Sequence, residues 1–199
     1  MGVIAGASNG EKTDVQKNSV LMIDMNEPIG EQTIKNTLGD LTGESTSILG
    51  LNDILASIKA AKTDDKIKGI YVKLGMSQNG WATLQEVKNA LIDFKTSKKF
   101  VIAYGEICDQ KSYYVAAAGD QIYINPVGGI EFNGLSITGT FFKGTIDKLD
   151  IKTEAFHCGK YKGAYEPYKL EKFSEPNRYQ LSVILSDFYS EFLKTVSLK

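Results

Sequence analysis

The sequence is short of the side chains that most often build metal or redox sites. It has one histidine and two cysteines in 199 residues. Cys108 and Cys158 lie far apart with no C-x-x-C spacing, so a zinc site is disfavoured. A disulfide, two free thiols, or one of each all remain open. Net charge is also lacking. Lysine plus arginine total 23 against 24 acidic residues, a balance of −1, and the electrostatic footprint of a nucleic-acid binder is missing. No run of 18 apolar residues occurs, and no signal-peptide pattern opens the chain.

What is present is an ordinary globular composition, 42% hydrophobic and 24% charged, with a length that fits one domain. Met1 to Gly10 is small and polar, and Glu11 to Lys17 is charged; residues 1–18 read as a flexible leader. Ser19 to Met25 is a continuous apolar run that fits a buried strand. Glu27 to Gly50, rich in Gly, Thr and Ser, reads mostly as loop. Asn52 or Asp53 is a candidate cap for a helix with Ile54, Leu55, Ile58 and Ala61 on one face, ending at Asp64-Asp65. Gly69 to Leu74 is a second strand, Gly75 to Gly80 a loop, and Trp81 to Ser97 a helix with Leu84, Val87, Leu91 and Phe94 as its apolar stripe. Phe100 to Gly105 is the third strand. Strand–helix alternation argues for an α/β layered domain.

Beyond that, Cys108 to Asp120 contains a helix, and Gln121 to Pro126 is another strand. Val127-Gly128-Gly129 reads as a turn, with Ile130 to Thr140 extended. Phe141, Phe142, Ile146 and Leu149 mark a short helix, and Ile151 to His157 alternates like a strand. In such a strand His157 and Cys158 point to opposite faces, which argues against a Cys–His dyad. Ser174-Glu175-Pro176 opens the last helix, with a cap residue and a proline in the first turn. Leu181, Ile184, Leu185, Phe188, Phe192 and Val196 form its wide stripe, which packs either on its own domain or on a neighbouring copy.

The segment Gly159-Lys160-Tyr161-Lys162-Gly163-Ala164-Tyr165-Glu166-Pro167-Tyr168 organises the rest. A lysine flanked by glycines and aromatics can lie against protein surface. Burial disfavours the ammonium, and a lysine base needs its pKa brought from about 10.4 to about 7–8. Tyr161-Lys162-Gly163-Ala164-Tyr165-Glu166-Pro167-Tyr168 resembles the Y-K-S-A-x-E-P-F segment of the bacterial signal peptide peptidase A family, also called protease IV. The likeness runs in order from about Val20 to the end. In that family this lysine is the general base of a Ser–Lys dyad, so the resemblance assigns that role to Lys162.

The resemblance also implies what is missing. The family's catalytic copy opens the helix after the third strand with an A-S-G-G-Y-Y-like pattern whose serine is the nucleophile. Aligned on Tyr113-Tyr114, that position holds Gln110. Ser112 lies about 200° further around the helix and reads as a solvated or helix-capping hydroxyl. The loop Gly75-Met76-Ser77-Gln78-Asn79-Gly80 lacks the paired glycines and proline of the family's oxyanion loop and reads as a plain connection.

The family's long form has two tandem copies, lysine in the first and serine in the second. The expected fold is therefore α/β, a Clp protease/crotonase-like ββα superhelix, as a single domain over residues 19–199. The expected function is that of the N-terminal, lysine-bearing part of a peptidase that hydrolyses released signal peptides, inactive alone. Implied partners are signal peptides and other apolar peptides, a missing C-terminal domain, further copies in a homo-oligomer, and the periplasmic side of a bacterial inner membrane through an N-terminal anchor absent here. No metal or organic cofactor is implied. The alternatives are a non-catalytic scaffold copy and a crotonase-type acyl-CoA enzyme.

Overall fold

The computed structural model describes residues 14–34 and 48–197. Most of the expected leader, and residues 35–47 of the expected loop, lie outside the described residues. By internal packing the chain divides into two compact units, the first ending at Asn133 and the second spanning Gly134–Ser197.

The first unit is a mixed α/β layer built on four parallel strands in the order β1-β2-β3-β4: β1 (Ser19–Asp24), β2 (Ile67–Lys73), β3 (Phe100–Asp109) and β4 (Gln121–Glu131). Three helices make the crossovers: α1 (Leu51–Thr63), α2 (Trp81–Lys95) and α3 (Gln110–Ala116). Strands added one after another in one direction, with crossovers of one hand, put every helix on the same face. Accordingly α1 packs on α2 and α2 on α3.

The residue alternation explains the core. Leu21, Ile70 and Val101 are register partners across three strands, as are Ile23, Val72 and Ala103, and all six are buried. Against them sit Ile54, Ile58 and Ala61 of α1 and Leu84, Val87, Leu91 and Phe94 of α2, the stripes read from the sequence. On the opposite face Asp24 and Lys73 are register partners, joined by a 2.8 Å ion pair.

Three local expectations are corrected. The N-cap of α1 is Gly50, not Asn52 or Asp53. The Gly50 amide donates to Thr33 Oγ1 at 2.8 Å, and the Thr33 hydroxyl donates to the Asp53 carboxylate. The helix start is thus tied by a residue distant in sequence.

Val127-Gly128-Gly129 is not a turn. β4 runs through it, with a register shift opposite Gly105 to Ile107. Gly128 allows this because a Cβ there would sit 1.7 Å from the Glu106 carbonyl oxygen. Pro126 is tolerated because β4 has no strand on its far side among the described residues.

Ile151 to His157 forms no strand. The alternation is real, but no partner strand lies beside it among the described residues, and Phe156 is 93% exposed.

The second unit holds α4 (Lys143–Lys148), α5 (Glu166–Lys169) and α6 (Glu175–Val196). The Phe142 amide donates to the Pro167 carbonyl at 2.7 Å, and the Phe142 ring stacks on Tyr168. Phe141 meets Phe173 edge to face, with centroids 5.1 Å apart. α6 starts as read: Ser174 is the N-cap, its oxygen accepts from the Asn177 amide, and Pro176 lies in the first turn. Its apolar stripe is largely uncovered. Only Phe192 is buried, while Ile184 and Phe188 are each 45% exposed.

Candidate active site

The loop carrying Lys162 owes its shape to two glycines with different jobs. Gly159 has φ +101°, a conformation open to glycine and strained for other residues. Gly163 has no such need. A Cβ there would lie 2.2 Å from Asn177 Nδ2, so the backbone can approach α6 only without a side chain.

Between them the chain closes on itself. The Lys162 amide donates to the Gly159 carbonyl at 3.4 Å, the Gly163 amide to Tyr161 at 3.2 Å, and the Glu166 amide to Gly163 at 3.0 Å.

The loop is anchored by a polar cluster that the sequence reading did not identify. Glu166 is buried. Its carboxylate accepts from the Ser174 amide at 3.1 Å, from the Ser174 hydroxyl, and from Asn177 Nδ2 at 2.8 Å. Burial alone would raise its pKa; the donors of Ser174 and Asn177 outweigh that and hold it below the ordinary glutamate value. Gln180 Nε2 donates to Asn177 Oδ1 at 2.7 Å and to the Tyr161 carbonyl at 2.9 Å. The available signal was the Ser-x-x-Asn start of α6 and a glutamate standing before a proline.

Lys162 itself is exposed, and its ammonium makes no hydrogen bond or ion pair among the described residues. The flanking aromatics are used otherwise. Tyr161 carries the Lys160 ammonium over its ring at 5.3 Å, and Tyr165 stacks on His157 at 4.4 Å. The lysine side chain is therefore without a partner among the described residues, on a backbone that is tethered. Cys158, nearby in the loop, is exposed and free; Cys108 is buried and free, and burial together with Asp109 pushes its thiol pKa up.

Gln110 and Ser112 belong to the first unit. Gln110 is the first residue of α3, and the Asp109 carboxylate caps the helix by accepting from the Ser112 amide at 2.9 Å. Ser112 is neither solvated nor the cap. It is fully buried, and its hydroxyl donates to the Gly75 carbonyl at 2.7 Å. Its proton is committed and its oxygen is closed to substrate.

The loop after β2 is filled in the same way. The Met76 amide donates to Asn26 Oδ1 at 3.2 Å, and Asn79 bonds Ile29, Glu27 and Ser77. These groups bind the loop to its own surroundings, which fits a connection and not an oxyanion hole.

No group of three or more His, Cys, Asp or Glu that could hold a metal occurs among the described residues, and no helix there is long and apolar enough to cross a membrane.

Comparison with known proteins bears on this arrangement directly. Residues 93–199 match the model of peptidase family S49. The chain is 30% identical over 183 residues to the chloroplastic serine protease SPPA of Arabidopsis thaliana, covering 92% of this chain and 26% of that protein. It is 30% identical to protease 4 of Salmonella typhi and 28% identical to protease 4 of Haemophilus influenzae, covering 99% of this chain and 33% of each. The chain thus spans between a quarter and a third of the length of these curated relatives. With more than half of its residues matched by the family model, and the lysine loop inside the match, the chain belongs to peptidase family S49.

Proposed function

We propose that this chain is the N-terminal, lysine-bearing copy of a long-form signal peptide peptidase, and that Lys162 is the general base of a Ser–Lys dyad whose serine comes from another copy of the fold. The observation that carries this reading is the pairing of an exposed Lys162 side chain on a tethered loop with the lack of a usable hydroxyl at the family's nucleophile position. Gln110 stands at the nucleophile position, and Ser112 is buried and bonded.

In the assembled enzyme, neutral Lys162 takes the proton of the attacking serine hydroxyl as its oxygen adds to a peptide carbonyl. The resulting ammonium then protonates the leaving amine. The oxyanion needs two backbone N–H donors, and these come from the serine-bearing copy; in the loop Gly75 to Gly80 the Met76 and Asn79 amides already donate to Asn26 and Ser77. This chemistry requires no metal or organic cofactor. The parallel β-α-β units of the first unit are compatible with a Clp protease/crotonase-like arrangement, here not used for acyl-CoA chemistry. Substrates are released signal peptides and similar apolar segments. The enzyme works as an oligomer on the periplasmic side of the bacterial inner membrane.

The test is hydrolysis of apolar peptides. This chain alone gives no turnover. The intact gene product does, loses it by about a hundredfold to ten-thousandfold in Lys162→Ala, and keeps it in Lys160→Ala. Turnover by this chain alone that disappears in Ser112→Ala would overturn the proposal. Full activity of Lys162→Ala in the intact product would leave a scaffold copy as the better reading.

A further inference from the structure

The clamp beneath the lysine loop assigns a role to three residues outside the dyad. α6 presents Asn177 and Gln180 on one face, three residues apart, towards the loop. Together they hold the segment Tyr161 to Glu166 at three points. Gln180 Nε2 holds the Tyr161 carbonyl at 2.9 Å. Asn177 is the surface on which the bare backbone of Gly163 rests. Glu166, at the end of the segment, is held by Asn177 Nδ2 at 2.8 Å and by Ser174. Asn177 Oδ1 also accepts from Gln180 at 2.7 Å, so the three side chains form a continuous chain of hydrogen bonds.

Lys162 lies in the middle of the clamped segment and contributes nothing to it: its own side chain is exposed. The clamp therefore fixes where the Lys162 Cα sits and in which direction its side chain leaves, without restricting the ammonium. We propose that Gln180, held by Asn177 and Glu166, is a positioning residue that sets the backbone of the lysine loop for catalysis. The inference rests on the proposed role of Lys162, but the clamp can be tested apart from it.

Gln180 is the residue to change, because it is only partly buried. Gln180→Leu removes the donor and leaves a slightly shorter apolar side chain; Gln180→Lys restores a donor able to reach the Tyr161 carbonyl. In this chain, amide exchange followed by NMR should quicken at Gly163 and Glu166 in Gln180→Leu. The expected change is about fivefold, the equivalent of one neutral hydrogen bond. Exchange in β1 to β4 should not move, and Gln180→Lys should return the loop to the original rates.

In the intact gene product, kcat should fall on the order of tenfold to a hundredfold in Gln180→Leu with KM unchanged, as for a base displaced by about an ångström. Gln180→Lys should recover most of it. Unchanged exchange in Gln180→Leu, or equal loss of kcat in the leucine and lysine variants, would overturn the positioning role. Hydrolysis that survives Lys162→Ala would instead remove the proposed function, and the exchange rates would still decide whether the clamp exists.

Discussion

Ser112 and Glu166 are both buried polar side chains, and both are explained by the partners they serve. The Ser112 hydroxyl donates to Gly75, whose carbonyl also accepts from the Asp109 amide at 3.1 Å. Ser112→Ala therefore leaves no orphaned acceptor and should cost only about 1 kcal/mol in a urea titration. Glu166 is the costlier position. Glu166→Gln puts an amide donor where Ser174 and Asn177 already donate, and should cost about 1–3 kcal/mol near neutrality. Its pH dependence has a defined sign. The folded-state pKa lies below the unfolded one, so the stabilisation is complete above the ordinary glutamate value and is lost as pH falls through the folded value. The melting midpoint of the native sequence should thus drop more steeply in acid than that of Glu166→Gln. The glycines beside Lys162 were visible in the sequence, but not the difference between them. Gly159 answers to its own φ, whereas Gly163 answers to Asn177, a contact that only the folded chain creates.

Secondary structure was most legible where a segment carries its own periodicity and its own cover. β1, β2, α1 and α2 follow the apolar pattern closely because each buries the residues that define it. Misreadings fall where a neighbour decides. Val127 to Gly129 has turn composition, yet Ile107 of β3 pairs with Gly129 and draws the segment into β4. Ile151 to His157 has strand alternation and no strand to join among the described residues. On α6 the stripe predicted the helix correctly and left open what covers it. Burial makes the energetic consequence specific. Phe192→Ala should cost about 3–5 kcal/mol in denaturant, as for a filled core position. Phe188→Ala, on the same stripe but half exposed, should cost less than about 1 kcal/mol. Equal losses at the two positions would mean that α6 is covered along its length.

At the scale of the whole molecule, the proposed assembly makes a testable claim on the apolar side chains that the second unit leaves exposed. Ile151, Phe156, Tyr168, Ile184 and Phe188 of the second unit are all more than a third exposed, large apolar side chains of the kind that a partner can cover. With a net charge of −1 the chain has little electrostatic repulsion to keep such surfaces apart. Sedimentation velocity should therefore show this chain associating as its concentration rises. Ile184→Asp combined with Phe188→Asp should remove that association without unfolding the chain, because neither residue is part of its core. If the surface receives the serine-bearing copy, the same pair of aspartates in the intact gene product should abolish hydrolysis while the lysine loop keeps its native amide exchange rates. Concentration-independent sedimentation of the native sequence, together with full activity of the double variant, would show that no partner is seated on α6, and in the proposed enzyme the serine would have to reach Lys162 across a different face.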